Sequence, residues 1–203
     1  MIPAAEALAR LREGNRRFVA DQATGPESHH ARRLELVDGQ APFAIILGCS
    51  DSRVPAELVF DQGFGDLFVI RVAGNVVAPS QVGSVEFAAA RFGTRLVVVM
   101  GHSQCGAVMA AVEDVLGHAT SQSRNLRSIV DRVRPSVEAA LAGRRDGDAA
   151  AWLQEAMRAN IRVSVDHLRH GSELLEQLIA SDGLQVVGAE YSIETGVVSF
   201  LDS

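Results

Sequence analysis

At 203 residues, with 47% hydrophobic and 22% charged residues and a formal net charge of −6, the chain has the composition of one soluble domain able to bury a sizeable core. The acidic balance, the 5% aromatic content and the lack of a Lys/Arg cluster argue against a nucleic-acid surface, and two cysteines are too few for a secreted disulfide framework. The opening Met1-Ile2-Pro3-Ala4 lacks the basic and apolar regions of a cleaved signal peptide, and apolar runs such as Leu96–Gly101 fall far short of a membrane span, so the expectation is a cytoplasmic protein with no membrane partner.

From the amino terminus, residues 4–20 read as an amphipathic helix with apolar positions Leu8, Leu11, Phe18 and Val19. Residues 21–30 contain Gly, Pro and His and read as a connection; residues 31–38 form a second short helical stretch with Leu34 and Val37 three apart. Phe43–Gly48 is the first good strand, nearly all apolar as a strand covered on both faces requires. Leu67–Val72 is the second, interrupted by Arg71. Ser80 reads as the cap of a helix running to about Arg91. Leu96–Gly101 is the third strand, and a helix from about Cys105 to Val115 follows. Residues 121–181 read as mostly helical, with breaks near Arg144–Asp148 and His170–Ser172. Leu184–Ala189 is a late strand, and Thr195–Leu201 a final edge strand joined by a tight turn near Glu194-Thr195-Gly196.

This order of strands and helices predicts an α/β fold: a central four-stranded, mainly parallel sheet with an additional C-terminal edge strand, flanked by helices, with an N-terminal helical arm. No internal repeat, low-complexity tract or second boundary interrupts it. Residues 1–203 therefore read as a single domain, with the arm over 1–38, the α/β core carrying the metal motifs over 39–120, and a helical region with the C-terminal strands over 121–203.

The chemistry concentrates in Cys49-Ser50-Asp51-Ser52-Arg53 and His102-Ser103-Gln104-Cys105-Gly106. Cys49 directly follows the first strand and His102 directly follows the third. If those strands are neighbours, their carboxyl ends bring Cys49, His102 and Cys105 into one crevice. Two thiolates and an imidazole are a borderline-soft set suited to Zn²⁺, with a fourth position left open. The same cysteines could be small buried apolar residues, or one disulfide; strand-end placement beside His102 favours the metal. Asp51 and Arg53 stand two apart, a spacing that lets the guanidinium hold the carboxylate in a bidentate pair and keep it off the metal. Asp51 is then a conditional fourth ligand.

The chain resembles the β-class carbonic anhydrases of the bacterial type. The resemblance rests on Cys49-Ser50-Asp51-Ser52-Arg53-Val54, Gly101-His102-Ser103-Gln104-Cys105-Gly106 and the connecting Phe68-Val69-Ile70-Arg71-Val72-Ala73-Gly74-Asn75, and covers about residues 5–202. It implies reversible hydration of CO₂ to bicarbonate and a proton, with one Zn²⁺ per chain held by Cys49, His102 and Cys105 and a hydroxide on the open position attacking the carbon. It implies that Asp51 orients that hydroxide and Arg53 holds Asp51, and that in a closed form Asp51 binds zinc. Gln40, nine residues before Cys49, matches a glutamine that reaches the substrate oxygen across a dimer interface. Phe68, Ala73 and Phe87 match positions lining an apolar substrate pocket, and Gly74 permits close backbone approach. The resemblance further implies a homodimer whose N-terminal helices embrace the partner, and pairing of dimers into a homotetramer through sheet edges.

Ile46 stands where a subset of bacterial relatives has a tryptophan that builds a non-catalytic bicarbonate site; Arg71 and Tyr191 match its other two members. His29 and His30 read as solvated or proton-shuttling surface residues, while His118, His167 and His170 lack a partner motif. Two further functions share these ligands: hydrolysis of another small linear substrate such as carbon disulfide, separated by pocket access or a specialised oligomer, and a zinc- or bicarbonate-responsive interaction protein, against which the intact Asp51 and Arg53 argue.

Overall fold

The computed structural model describes residues 2–24, 29–118, 123–142 and 149–201. Five strands, β1 (Ala44–Gly48), β2 (Leu67–Arg71), β3 (Leu96–His102), β4 (Gln185–Tyr191) and β5 (Val198–Leu201), form one sheet in the order β2-β1-β3-β4-β5. The first four are parallel and β5 is antiparallel to β4. Every residue of β1 and β3 is buried, so both faces of these central strands are covered, which is why both read as continuous apolar runs. The chain leaves β1 towards β2 on one side and returns to β3 on the other. The carboxyl ends of β1 and β3 therefore flank the point where strand order reverses, where α/β sheets open a crevice.

Eight helices surround the sheet among the described residues: α1 (Ala4–Val19), α2 (His29–Glu35), α3 (Ala56–Val59), α4 (Pro79–Arg91), α5 (Gly106–Val115), α6 (Arg124–Leu141), α7 (Ala149–His170) and α8 (Glu173–Ser181). Helix α7 lies directly on β3 and β4. Ile161 presses on Gly101 and Gly188, where an added Cβ would come within 2.7 and 2.8 Å of it.

Several expectations are corrected. Helix α1 buries Ala4, Ala7, Leu11, Gly14 and Asn15, whereas Leu8 and Phe18 are half-buried and Val19 is exposed. The reason is close approach: a Cβ on Gly14 would fall 1.8 Å from the Phe60 carbonyl oxygen, and Asn15 bonds Val59, Gly196 and Val198. The face in contact was therefore chosen by small size and hydrogen bonding rather than by apolar bulk. Ser80 is not the cap of α4; Pro79, with its fixed φ and no N–H to lose, starts the helix after Ala78. Helix α2 begins at His29 and ends at Glu35, and β5 starts at Val198 because the Ile193–Thr195 turn and the two residues after it come first. Helix α3 and a 3-10 turn at Ala73–Asn75 were not foreseen. The break at Gly171–Ser172 is present, with Ser172 capping α8, whereas the expected break at 144–148 lies outside the described residues.

Candidate metal centre

Cys49 comes one residue after β1, His102 ends β3, and Cys105 is the N-cap of α5. Their ligand atoms all lie within 4.8 Å of one another, and the residues are 5%, 1% and 4% exposed. The His102–Cys105 turn closes because Gln104 adopts a left-handed backbone, φ 56°, uncommon for a residue with a side chain. On the opposite side, Gly74 takes φ 70° and donates its N–H to Cys49 Sγ at 3.4 Å. A Cβ there would lie 3.0 Å from that of Ala107, so the close approach needs glycine.

His102 Nδ1 lies 2.8 Å from the Ser103 carbonyl. A carbonyl only accepts, so Nδ1 carries the proton and Nε2 presents a lone pair. That Nε2 is buried with no hydrogen-bond partner. Such an orphan costs about 1–3 kcal/mol unless something takes the lone pair. The sulfurs supply the second half of the fit. The Cys105 thiol and the Asp51 and Gly74 N–H groups hold the Cys49 thiol well below its ordinary pKa against the opposing effect of burial. Cys105 is pushed up by its hydrogen bond with Cys49 and by burial. A dication held between them would be met by two thiolates, because metal binding displaces thiol protons. A buried lone pair beside two such sulfurs fits zinc, as expected for Cys49, His102 and Cys105.

Asp51 and Arg53 form the foreseen pair. Arg53 donates from Nε to Asp51 Oδ1 at 2.9 Å and from Nη2 to Oδ2 at 2.7 Å, and its backbone N–H adds a bond at 2.9 Å. Those side-chain bonds from Arg53 hold the Asp51 carboxyl well below the usual carboxylate range. Arg53 Nη2 also reaches the Gln104 carbonyl at 3.3 Å, tying the two metal-binding loops together. Arg71 anchors the first loop from beneath, donating to the Cys49 and Asp51 carbonyls at 3.0 and 2.5 Å.

The remaining candidates are spread more widely. Gln40 is exposed ahead of β1. Phe68 is half-buried and Phe87 is 54% exposed; with Phe92 they form an aromatic cluster at the β2 edge, centroids 5.6–6.3 Å apart. Ala73 and Gly74 lie on the turn against Cys49. A cavity of about 600 Å³ opens beside His102 and Cys105, walled by Val108, Met109, Leu153 and Met157. His170 pairs with Asp166, and His30 and His118 are exposed. Sequence reasoning missed Glu194, which accepts from Ser103 and Gln104, and Asn160, which donates to the Gly74 carbonyl at 2.8 Å. No local signal could have found them, since both act across more than 80 positions of chain.

The fold and the centre define an α/β zinc protein, with a buried Cys–His–Cys set at the sheet's switch point and an ionised Asp–Arg pair beside it. A family model described as carbonic anhydrase matches residues 44–198, and the chain belongs to that family, in its β class. It is 41% identical over 186 residues to carbonic anhydrase 2 of Mycobacterium tuberculosis, covering 92% of this chain and 87% of the relative. It is 40% identical to a carbonic anhydrase of Mycolicibacterium smegmatis over 188 residues, covering 93% and 88%. Among solved structures it is similar to the β-carbonic anhydrase CafA of Aspergillus fumigatus, with a TM-score of 0.77, 26% identity and coverage of 98% and 90%.

Proposed function

We infer that this chain is a zinc-dependent carbonic anhydrase that interconverts CO₂ and water with bicarbonate and a proton. The observation that carries the reading is the buried Cys49–His102–Cys105 set, with an unpartnered His102 Nε2, next to an Asp51 held ionised by Arg53. Zinc, when bound, supplies a nucleophilic hydroxide near neutral pH by lowering the pKa of coordinated water to about 7.

The chain's own residues then orient the reaction. Ionised Asp51 has acceptor capacity only, so it would accept a hydrogen bond from the nucleophile that the metal supplies and orient it for attack on CO₂. Arg53 keeps that carboxylate aimed and off the metal. Released from Arg53, Asp51 would be placed to serve as a fourth ligand to the metal. In the overall reaction one C–O bond would form as a C=O π bond of CO₂ opens, and the water consumed would leave its oxygen and one hydrogen in bicarbonate and its other proton with solvent.

Gln40 serves as the substrate-oxygen donor in a partner's site, and Phe68, Ala73, Gly74 and Phe87 line the apolar approach for CO₂. Residues 1–203 act as a single domain in a homodimer, with homotetramers formed from paired dimers, in the cytoplasm. Exposed Leu34 and Val37 near Gln40, and Phe87 at the sheet edge, support the dimer, because solvent-facing apolar groups of this size favour a partner surface. No described helix is long and apolar enough to cross a membrane.

The test is stopped-flow CO₂ hydration with zinc determined on the same sample. Rapid hydration at close to stoichiometric zinc is expected; full zinc without hydration would reject the reading.

A further inference from the structure

Glu194 belongs to the turn between β4 and β5, far from the metal motifs in sequence, yet its carboxylate meets the metal-binding turn directly. Ser103 Oγ donates to one oxygen at 2.7 Å and Gln104 Nε2 to the other at 2.6 Å. These are the two residues between the ligands His102 and Cys105. Ser192 Oγ, in Glu194's own turn, adds a bond at 3.1 Å. The two turns are further locked by the Ser103 N–H on the Tyr191 carbonyl at 2.9 Å and the Ile193 N–H on Ser103 Oγ at 3.0 Å.

Gln104 is where this clamp matters most. Its left-handed backbone is costly for a residue with a Cβ and persists only when its surroundings hold it. Glu194 holds it by the side chain. The carbonyl of the same residue accepts from Arg53 Nη2, and Arg53 in turn holds Asp51. A continuous line of hydrogen bonds thus runs from the β4–β5 turn through Gln104 and Arg53 to Asp51, and a parallel line runs through Ser103 to the ligand turn. With two oxygens that only accept, a carboxylate can take both donors at once; an amide in its place would turn an NH₂ on one of them.

We propose that Glu194 is a positioning residue for the metal centre, clamping the His102–Cys105 turn through Ser103 and Gln104 and fixing Arg53, and through it Asp51, by way of the Gln104 backbone. The kinetic part of this inference rests on the carbonic anhydrase reading; the metal-retention part does not.

The experiment compares the zinc-loaded parent with Glu194→Ala, Glu194→Gln, Gln104→Ala and the Glu194→Ala/Gln104→Ala double variant. Two quantities are read: the rate of zinc release to a competing chelator, and kcat and KM for CO₂ hydration. Circular dichroism and thermal melting report the fold. Loss of partners that orient metal ligands typically costs 10–100-fold, so Glu194→Ala is expected to release zinc about tenfold faster and to lose about tenfold in kcat with KM little changed. Glu194→Gln, which keeps one acceptor and the side-chain length, falls between. Because Glu194 acts partly through Gln104, the double variant loses less than the product of the single losses.

Zinc release and kcat both within about twofold of the parent in a folded Glu194→Ala protein would overturn the proposal, as would fully multiplicative losses in the double variant. If Glu194→Ala fails to fold, Glu194→Gln decides by the same readings. If the parent hydrates no CO₂, the functional reading fails while zinc release still judges the clamp.

Discussion

At the scale of single residues, the centre separates groups that bind from groups that aim. Cys49, His102 and Cys105 carry the soft donors, and each is too buried for water to replace it cheaply. Cys49→Ser, His102→Ala and Cys105→Ser are each expected to leave the purified protein with a small fraction of the parent's zinc, read by atomic emission; full retention in all three would remove the assignment. Asp51 is different, because its partner is Arg53 rather than the metal. Asp51→Ala should keep most of the zinc and lower CO₂ hydration by about 10-fold or more, the scale on which loss of an orienting hydrogen bond acts. Unchanged turnover in that variant would reject its role.

At the scale of elements, the metal loops are held by close packing that only small residues allow. Gly74→Ala meets both a left-handed φ and the Ala107 side chain, and should destabilise the protein by about 1–2 kcal/mol in urea unfolding. Gly14→Ala drives a methyl group into the Phe60 carbonyl and forces α1 off the body, with an expected cost of at least about 1–3 kcal/mol. Helix α1 is also clamped by Arg17, which reaches Asp61 in the turn after α3 at 2.5 Å, while Thr24 donates to the same carboxylate. Burial pushes the Asp61 carboxyl up, but the Arg17 and Thr24 bonds outweigh it and leave it below its ordinary value. A folded pKa below the unfolded value of about 3.9 means that the stabilisation is complete above that value and is lost as pH falls through the folded pKa. In zinc-free protein, Asp61→Asn should therefore be less stable than the parent at neutral pH, and the gap should narrow below about pH 4. A gap that stays constant with pH would show that the ion pair contributes nothing.

At the scale of the whole molecule, exposed apolar side chains lie on α2 at Leu34, just beyond it at Val37, and at the β2 edge at Phe87, while β5 leaves an outer edge. If Gln40 completes a partner's site as proposed, activity should depend on assembly. Sedimentation should give about twice the 21.6 kDa chain mass or a higher multiple. Leu34→Asp, on the exposed face of α2 and outside the site, should shift the protein towards monomer and reduce hydration with zinc retained; a fully active monomer would return Gln40 to an ordinary surface position.

Much of this molecule was legible in its sequence. Apolar runs ending at Gly48 and Gly101 marked the two central strands, because a strand covered on both faces must be apolar throughout. The Cys-x-Asp-x-Arg and His-x-x-Cys spacings named the ligands and the orienting pair, because those residues act on neighbours within a few positions. The ends of elements were less legible, as before β5, where a turn delays the strand, and at the start of α4, where Pro79 rather than Ser80 opens the helix. What only the tertiary structure decided was distance across the chain: that Gly14 and Asn15, rather than Phe18 and Val19, seat α1; that Asn160 secures Gly74; and that Glu194 reaches Gln104. Each depends on a hydrogen bond or a close approach between segments brought together by the sheet order, and sequence periodicity records which side of an element faces inward but not which residue waits there.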